Sequence, residues 1–137
     1  MPETHFLGKV ATKAIIVKDG KILMTRDHKD TALWDLPGGR INIEENIDAG
    51  LEREIMEELG VHIRVKGIVF SEQIIHRRDG TPHLFITCEV TMVDPSASFK
   101  IPSEEVAEIQ WVSKDMLADL KTYDSCRTAL ETYWAKR

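Results

Sequence analysis

The segment from residue 44 to residue 61 constrains the fold more than any other part of the chain. Its apolar residues recur at every fourth position: Ile47, Leu51, Ile55 and Leu59. This spacing predicts an amphipathic helix over Asn46–Leu59. Gly60 directly follows the last apolar residue and is a typical helix stop. Acidic residues occupy many of the remaining positions, so the helix must carry one apolar face and one strongly negative face.

Three glutamates share the negative face near the C-terminal end of this helix. Glu54 and Glu58 are four residues apart, and Glu57 is three residues from Glu54, so all three lie on one side. Like charges at this spacing destabilise a helix by about 0.2–0.5 kcal/mol per pair, and the helix dipole disfavours acids at this end. A solvated acidic surface is one interpretation of the run. A bound cation is the other, because it would offset the repulsion.

A hard divalent cation suits such a cluster. Mg²⁺ binds carboxylate oxygens, keeps several waters and commonly shares its shell with a substrate phosphate; Mn²⁺ is the expected substitute. Arg53 stands next to the cluster and could brace one carboxylate through a bidentate pair. Gly38-Gly39 lets the backbone approach closely, so that the Gly39 carbonyl can become a further oxygen ligand. Glu45 lies at the start of the helix, where an acid is favoured and can orient a neighbour.

The rest of the chain predicts a β-rich framework around this helix. Predicted strands cover Lys9–Val17, Lys21–Thr25, Leu33–Leu36, Val61–Ile75 with a break near Lys66-Gly67, His83–Val93 and Glu108–Val112. Predicted connections are the Asp19-Gly20 turn, a polar loop over Arg26–Thr31, and Pro37-Gly38-Gly39 as the end of the third strand. One helix capped by Ser113, containing Met116, Leu117 and Leu120, and one over Tyr123–Lys136 complete the chain. We expect one domain over residues 1–137, with a mixed sheet and helices on its faces.

Composition and charge exclude several classes of function. The formal net charge of −5 argues against a duplex nucleic acid partner. Cys88 and Cys126 match no metal or redox spacing, which predicts buried free thiols in a reducing cytosol. The longest apolar run, Ala14–Val17, is too short to span a bilayer. We therefore expect a soluble cytoplasmic protein, with no membrane partner, whose β-rich surface and C-terminal helix could support a homodimer.

The acidic helix and the glycines before it resemble the signature of the Nudix hydrolase family. That signature is Gly, five residues, Glu, seven residues, Arg-Glu, an aliphatic residue, any residue, Glu-Glu, any residue, Gly and an aliphatic residue. The matching positions are Gly39, Glu45, Arg53, Glu54, Ile55, Glu57, Glu58, Gly60 and Val61. Two positions depart from the common pattern: Glu44 replaces a usual glycine, and Gly50 replaces a usual alanine. Glycine inside a helix costs about 1 kcal/mol relative to alanine.

The resemblance implies a fold and a reaction. The fold would be an α/β/α sandwich with a mixed β-sheet between helices. The reaction would be hydrolysis of a nucleoside diphosphate derivative, a small-molecule nucleotide, by water attack on the pyrophosphate with Mg²⁺ bound. The implied metal ligands are Glu54, Glu57, Glu58 and the Gly39 carbonyl, and Glu45 and Arg53 would order the loop and helix. The general base is open among Glu54, Glu104 and Glu105.

The substrate is the least constrained part of the prediction. The short chain resembles family members that act on nucleoside triphosphates; ADP-ribose, a nucleotide sugar or capped RNA are the alternatives, as is a non-catalytic nucleotide- or metal-binding module on the same fold. Arg77 and Arg78, at a predicted hairpin tip, and Glu105 are the candidate substrate contacts. His76 and His83 flank that turn and are expected to be surface residues facing each other. Trp34 is expected in the core, with Trp111 and Trp134 also structural.

Overall fold

The computed structural model describes residues 5–76, 79–101, 104 and 106–137. Within these ranges the strands are β1 Lys9–Lys18, β2 Lys21–Asp27, β3 Asp30–Asp35, β4 Gly38–Arg40, β5 Ile63–Ile75, β6 Pro82–Met92 and β7 Val106–Val112. The helices are α1 Ile47–Leu59, α2 Lys114–Leu117 and α3 Asp124–Ala135. The described strands form one sheet in which β1 runs parallel to β6 and every other pair is antiparallel. The predicted mixed sheet is confirmed.

Each face of the sheet carries its own apolar core, because successive side chains of a strand point to opposite faces. On one face, Ile16 of β1 belongs to a buried cluster with Leu51 and Ile55 of α1. On the other face, Ile15 belongs to a second cluster with Leu130 of α3. The helices therefore cover the two sides of the sheet, which confirms the expected α/β/α layering.

Local signals in the sequence set both ends of α1. Asn46 caps the helix by accepting a hydrogen bond from the Ala49 N–H at 2.8 Å. Gly60 ends it in the left-handed conformation, with φ +68°. Gly50 stands where the helix approaches the preceding loop, and a Cβ there would lie 2.3 Å from Ile41 Cγ2. Close packing therefore accounts for glycine at a position where alanine would favour the helix.

Several predicted boundaries were wrong because pairing between distant strands overrides local composition. The polar loop expected at residues 26–31 shrinks to a short turn, since β2 is held by β3 on one edge and by β7 on the other. Gly38 and Gly39 do not merely end a strand; they form β4 by pairing with Lys13 and Thr12 of β1. The seventh strand begins at Val106, two residues before its predicted start.

Other predictions of local structure had mixed outcomes. The register of β5 shifts between Val65 and Gly67, which confirms the expected break. Ser113 caps α2 through the Met116 N–H, but α2 ends at Leu117 and leaves Leu120 outside.

Trp34 is buried as predicted. Both cysteines are buried free thiols as predicted, and burial is the main cause that raises the pKa of Cys88 to about 11. Among the described residues, no helix is both long and apolar enough to cross a membrane.

Candidate active site

Arg53 is the centre of a charge network that ties the acidic face of α1 to the loop before it. Its Nε and Nη2 donate to the two carboxylate oxygens of Glu45 at 2.6 and 2.9 Å, which is a bidentate pair. Its Nη1 donates to Glu54 and to Glu57, each at 3.2 Å. Its Nη2 also donates to the Arg40 carbonyl at 3.1 Å. One guanidinium therefore fixes three carboxylates and the end of β4.

Electrostatics keeps the Glu45–Arg53 pair ionised. The hydrogen bond from Arg53 is the largest cause that lowers the pKa of Glu45 to about 2, and the Asn42 N–H, which donates to Glu45 at 2.8 Å, adds to it. The same hydrogen bond raises the pKa of Arg53 above its usual range. Both groups therefore carry full charge at neutral pH.

The two glycines of β4 lie against the carboxylates of α1. The Gly38 N–H donates to Glu58 Oε2 at 3.2 Å. A Cβ on Gly39 would lie 2.5 Å from Glu54 Oε2, so only glycine leaves room for this carboxylate. The Gly39 carbonyl accepts a hydrogen bond from the Thr12 hydroxyl at 3.4 Å. Glu54 and Glu58 are thus placed beside backbone atoms of β4 as well as beside each other on the helix.

The oxygen donors gathered here fit a hard divalent cation. The carboxylates of Glu54, Glu57 and Glu58 and the Gly39 carbonyl are ligands of the type that Mg²⁺ prefers. Glu54 is 14% exposed and Glu57 is 58% exposed, so the cluster runs from a recess to open solvent. Within the described residues, no group of three or more histidine, cysteine or acidic side chains is arranged so that it could hold a metal ion by itself. Mg²⁺ does not need a complete set of protein ligands, because waters and substrate phosphates usually fill part of its coordination shell.

A cleft of about 440 Å³ opens beside this cluster on the α3 face of the sheet. It is lined by Ala11, Lys13, Asp27, Asp35, Gly39, Arg40, Ile74, His76, His83, Phe85, Tyr123 and Ser125. Gly39, which contacts Glu54, therefore belongs to both the acidic cluster and the cleft. The opposite wall is aromatic: the rings of His83 and Phe85 stack with centroids 5.8 Å apart. The cleft thus joins an acidic end to an apolar, aromatic end.

Sequence reasoning missed an ion pair inside the cleft. Lys13 Nζ lies 3.0 Å from Asp35 Oδ2, and the Lys13 side chain is 16% exposed. Burial alone would lower the pKa of Lys13, but Asp35 and Glu58 outweigh it, so that the pKa is raised. A signal was present in the sequence: Lys13 stands between the apolar residues Ala11 and Ile15 on one face of a strand.

The histidine prediction was half right. The rings of His76 and His83 face each other across the β5–β6 hairpin, with centroids 4.7 Å apart. His83 is only 1% exposed, however, so its placement on the surface was wrong. The cause is the parallel pairing of β6 with β1, which draws the start of β6 into the sheet. His83 Nδ1 is 3.0 Å from the Thr81 carbonyl oxygen, which can accept a hydrogen bond from it.

The structure describes only some of the remaining candidate residues. Arg77, Arg78 and Glu105 lie outside the described residues. Glu104 is described and is exposed in the segment before β7. The structure brings together Glu45, Arg53, Glu54, Glu57, Glu58 and Gly39. Glu54 is therefore the one general-base candidate with a described contact to the acidic network.

Replacement of Arg53 by lysine is expected to lower the kcat/KM of the hydrolysis that the sequence resemblance implies about 10–100-fold. Residues that orient metal ligands, the role expected of Arg53, have effects of this size. Lysine cannot keep a bidentate pair with Glu45 while also holding Glu54. We also expect a higher Mg²⁺ concentration for half-maximal rate. Arg64→Lys, at an exposed position of β5, is the matched control. Equal kinetics for the two variants would show that the network has no positioning role.

Comparison with known proteins identifies the family of the chain. The family model of the NUDIX domain matches residues 8–131. A MutT-like protein of Streptomyces ambofaciens is 27% identical over 114 residues, covering 82% of this chain and 69% of that protein. A putative 8-oxo-dGTP diphosphatase of Bacillus subtilis strain 168 is 31% identical over 106 residues, covering 75% of this chain and 65% of that protein. The chain thus spans about two thirds of the length of these curated relatives.

The fold agrees as well. A NUDIX hydrolase from Nitrosomonas europaea superposes with a TM-score of 0.78 at 22% identity, over 95% of this chain and 90% of that chain. At this identity the likeness speaks for the fold alone. The match of the domain model covers most of the chain and includes the whole Arg53 network. The chain therefore belongs to the NUDIX domain family and is a Nudix hydrolase.

Proposed function

We propose that this chain is a Mg²⁺-dependent pyrophosphohydrolase that cleaves the diphosphate linkage of a nucleoside diphosphate derivative, with nucleoside triphosphates as the preferred class. The observation that carries the proposal is the Arg53 network, which holds Glu45, Glu54 and Glu57 beside the glycines of β4 at the edge of a cleft. The relative from Bacillus subtilis, described as a putative 8-oxo-dGTP diphosphatase, supports the substrate class.

Each residue of the cluster has a distinct part in this proposal. Glu54, Glu57 and Glu58 would hold the cation, with the Gly39 carbonyl as a further ligand. Bound there, Mg²⁺ supplies neutralisation of the diphosphate, polarisation of its P–O bonds and a lowered pKa of a coordinated water. Arg53 acts as a positioning residue, because its bidentate pair with Glu45 anchors the guanidinium while its Nη1 donates to Glu54 and Glu57.

The bond changes follow from hydrolysis of an anhydride. A water oxygen adds to one phosphorus, the bridging P–O bond breaks, and the second phosphate leaves with the bridging oxygen. The proton of the water passes to a carboxylate, for which Glu54 is the candidate inside the network. The cleft beside Gly39 accommodates the nucleoside part, since a site of this size and apolar content is typical of small-ligand binding.

A substrate panel tests the proposal. Nucleoside triphosphates, 8-oxo-dGTP, ADP-ribose, nucleotide sugars, dinucleoside polyphosphates and capped RNA would be compared by kcat/KM, with Mg²⁺ and with EDTA. We expect one nucleoside triphosphate to be cleaved fastest, with activity lost in EDTA. If ADP-ribose, a nucleotide sugar or capped RNA is cleaved faster than every nucleoside triphosphate, the proposed substrate class is wrong and that compound replaces it. No cleavage despite Mg²⁺ and nucleotide binding would favour a binding module.

A further inference from the structure

Lys13 occupies the junction between the acidic cluster and the large cleft. A second, smaller cavity of about 90 Å³ adjoins the cleft and is lined by Gly38 and Glu58. The residues that line both cavities are Lys13, Asp27, Asp35 and Tyr123. Among the described residues that line both, Lys13 is the one with a positive charge. A ligand that extends from Glu58 through the smaller cavity into the cleft would therefore pass its ammonium group.

The local structure explains why a lysine can extend to this point. Lys13 of β1 is paired directly with Gly38 of β4, and Gly38 has no side chain to occupy the same face. The ammonium group is held 3.0 Å from Asp35, and Glu58 adds a second favourable charge. Lys13 is consequently a charged, partly desolvated and fixed donor. Such a donor interacts more strongly with an anion than a solvated surface lysine does.

The shape of the cleft orders the parts of a nucleotide around Lys13. Its far end is apolar and aromatic, with Ala11 of β1 paired with Phe85 of β6 and the His83 ring beside it. A planar base packs favourably against such rings. The acidic end holds the donors that suit a cation and its bound phosphates. The phosphate next to the nucleoside would then lie between the two ends, which is where Lys13 stands.

On the basis of the function proposed above, we propose that Lys13 binds a non-bridging oxygen of the phosphate attached to the nucleoside, with Asp35 as the residue that positions its ammonium group. A lysine ammonium donates up to three hydrogen bonds and cannot accept any. It can therefore keep Asp35 as one partner and take a phosphate oxygen as another. The contact depends on the phosphate and not on the identity of the base.

Binding in EDTA tests this role apart from catalysis. Calorimetry would compare a nucleoside monophosphate with its parent nucleoside, for instance dGMP with deoxyguanosine and dCMP with deoxycytidine. We expect Lys13→Met to weaken binding of each monophosphate at least tenfold and to leave binding of each nucleoside unchanged. Lys13→Arg should retain most of the monophosphate affinity. Lys9→Met, four residues earlier on the same strand but half-exposed, should leave both affinities unchanged.

A double variant separates direct binding from an indirect effect of Asp35. In Lys13→Met the carboxylate of Asp35 loses its partner and could repel the phosphate by itself. The double variant Lys13→Met with Asp35→Asn removes that charge. Its affinity for the monophosphate should be as low as that of Lys13→Met alone. Recovery of wild-type affinity in the double variant would overturn the inference. So would equal weakening of nucleoside and monophosphate, or a wild type that binds no monophosphate.

The proposed function and the Lys13 contact can fail separately. If the wild type cleaves nothing in the substrate panel while monophosphate binding still depends on Lys13, the proposed function fails and the Lys13 contact stands. If the wild type cleaves a nucleoside triphosphate while Lys13→Met binds monophosphates normally, the proposed function stands and the contact fails. Circular dichroism of each variant would confirm that the fold is retained before binding is compared.

Discussion

Glu58→Gln is expected to lower kcat/KM about a thousandfold. The substitution removes one charged oxygen from the proposed cation site, and metal charge stabilisation of a transition state amounts to several kcal/mol, of which each ~1.4 kcal/mol changes the rate tenfold. The fold should survive, because the glutamine amide oxygen can still accept the hydrogen bond from the Gly38 N–H, which Glu58 now accepts at 3.2 Å. We expect the free energy of unfolding to change by less than about 1 kcal/mol.

The matched control for this loss is Glu52→Gln. Glu52 is an exposed acid on the same helix, six residues away from Glu58. The Glu52→Gln substitution removes the same charge from α1 without changing the acidic cluster. The kcat/KM of this variant should therefore stay within about twofold of the wild type. Similar losses in the two variants would mean that net charge matters and that the position of Glu58 does not. Steady-state kinetics at saturating Mg²⁺ provides the comparison.

Gly38→Ala is expected to destabilise the fold by about 3 kcal/mol or more. A Cβ there would lie 2.0 Å from the Thr12 carbonyl oxygen and 2.9 Å from Lys13 Cα, and both are backbone atoms of β1 that cannot move aside alone. Gly38 also has φ +143°, a conformation that residues with side chains rarely adopt. Strained backbone and overpacking each cost about 1–3 kcal/mol, so their sum is large. Urea denaturation measures the difference.

Two neighbouring substitutions show whether this loss has the stated cause. Gly39→Ala would bring its Cβ within 2.5 Å of Glu54 Oε2, which belongs to a side chain that can shift more readily than backbone atoms. It should cost little stability but lower kcat/KM, because the carboxylate must shift. Gly67→Ala, whose Cβ would have no neighbour within 4 Å, should leave both quantities unchanged. If Gly38→Ala is as stable as Gly67→Ala, the described pairing of β4 with β1 is wrong.

The sequence predicted those parts of the molecule that depend on neighbours along the chain. The apolar stripe of α1, its end at Gly60 and the break in β5 near Gly67 are local patterns, and the structure has all three. The cluster of Glu54, Glu57 and Glu58 on one helix face also follows from helical spacing alone. Because these residues share one short segment, most of the acidic site was visible before any tertiary structure was considered.

The parts that the sequence did not predict depend on contacts between distant segments. Lys13 and Asp35 are 22 residues apart and meet only because β1 and β3 lie in the same sheet. His83 is buried by the parallel pairing of β6 with β1, which local polarity does not indicate. The role of Gly38 as a strand residue likewise follows from its position opposite Lys13. The aromatic end of the cleft was therefore less predictable than the acidic cluster.

The most direct test of the central claim is the dependence of hydrolysis on Mg²⁺ after the protein has been stripped with EDTA. The initial rate on the best substrate of the panel would be measured as free Mg²⁺ is added back, for the wild type and for Glu58→Gln. We predict no hydrolysis without Mg²⁺, a saturable return of activity in the wild type, and a weaker, lower response in the variant. Full hydrolysis in EDTA, or identical Mg²⁺ curves for the two proteins, would contradict the assignment of the acidic cluster as the cation site.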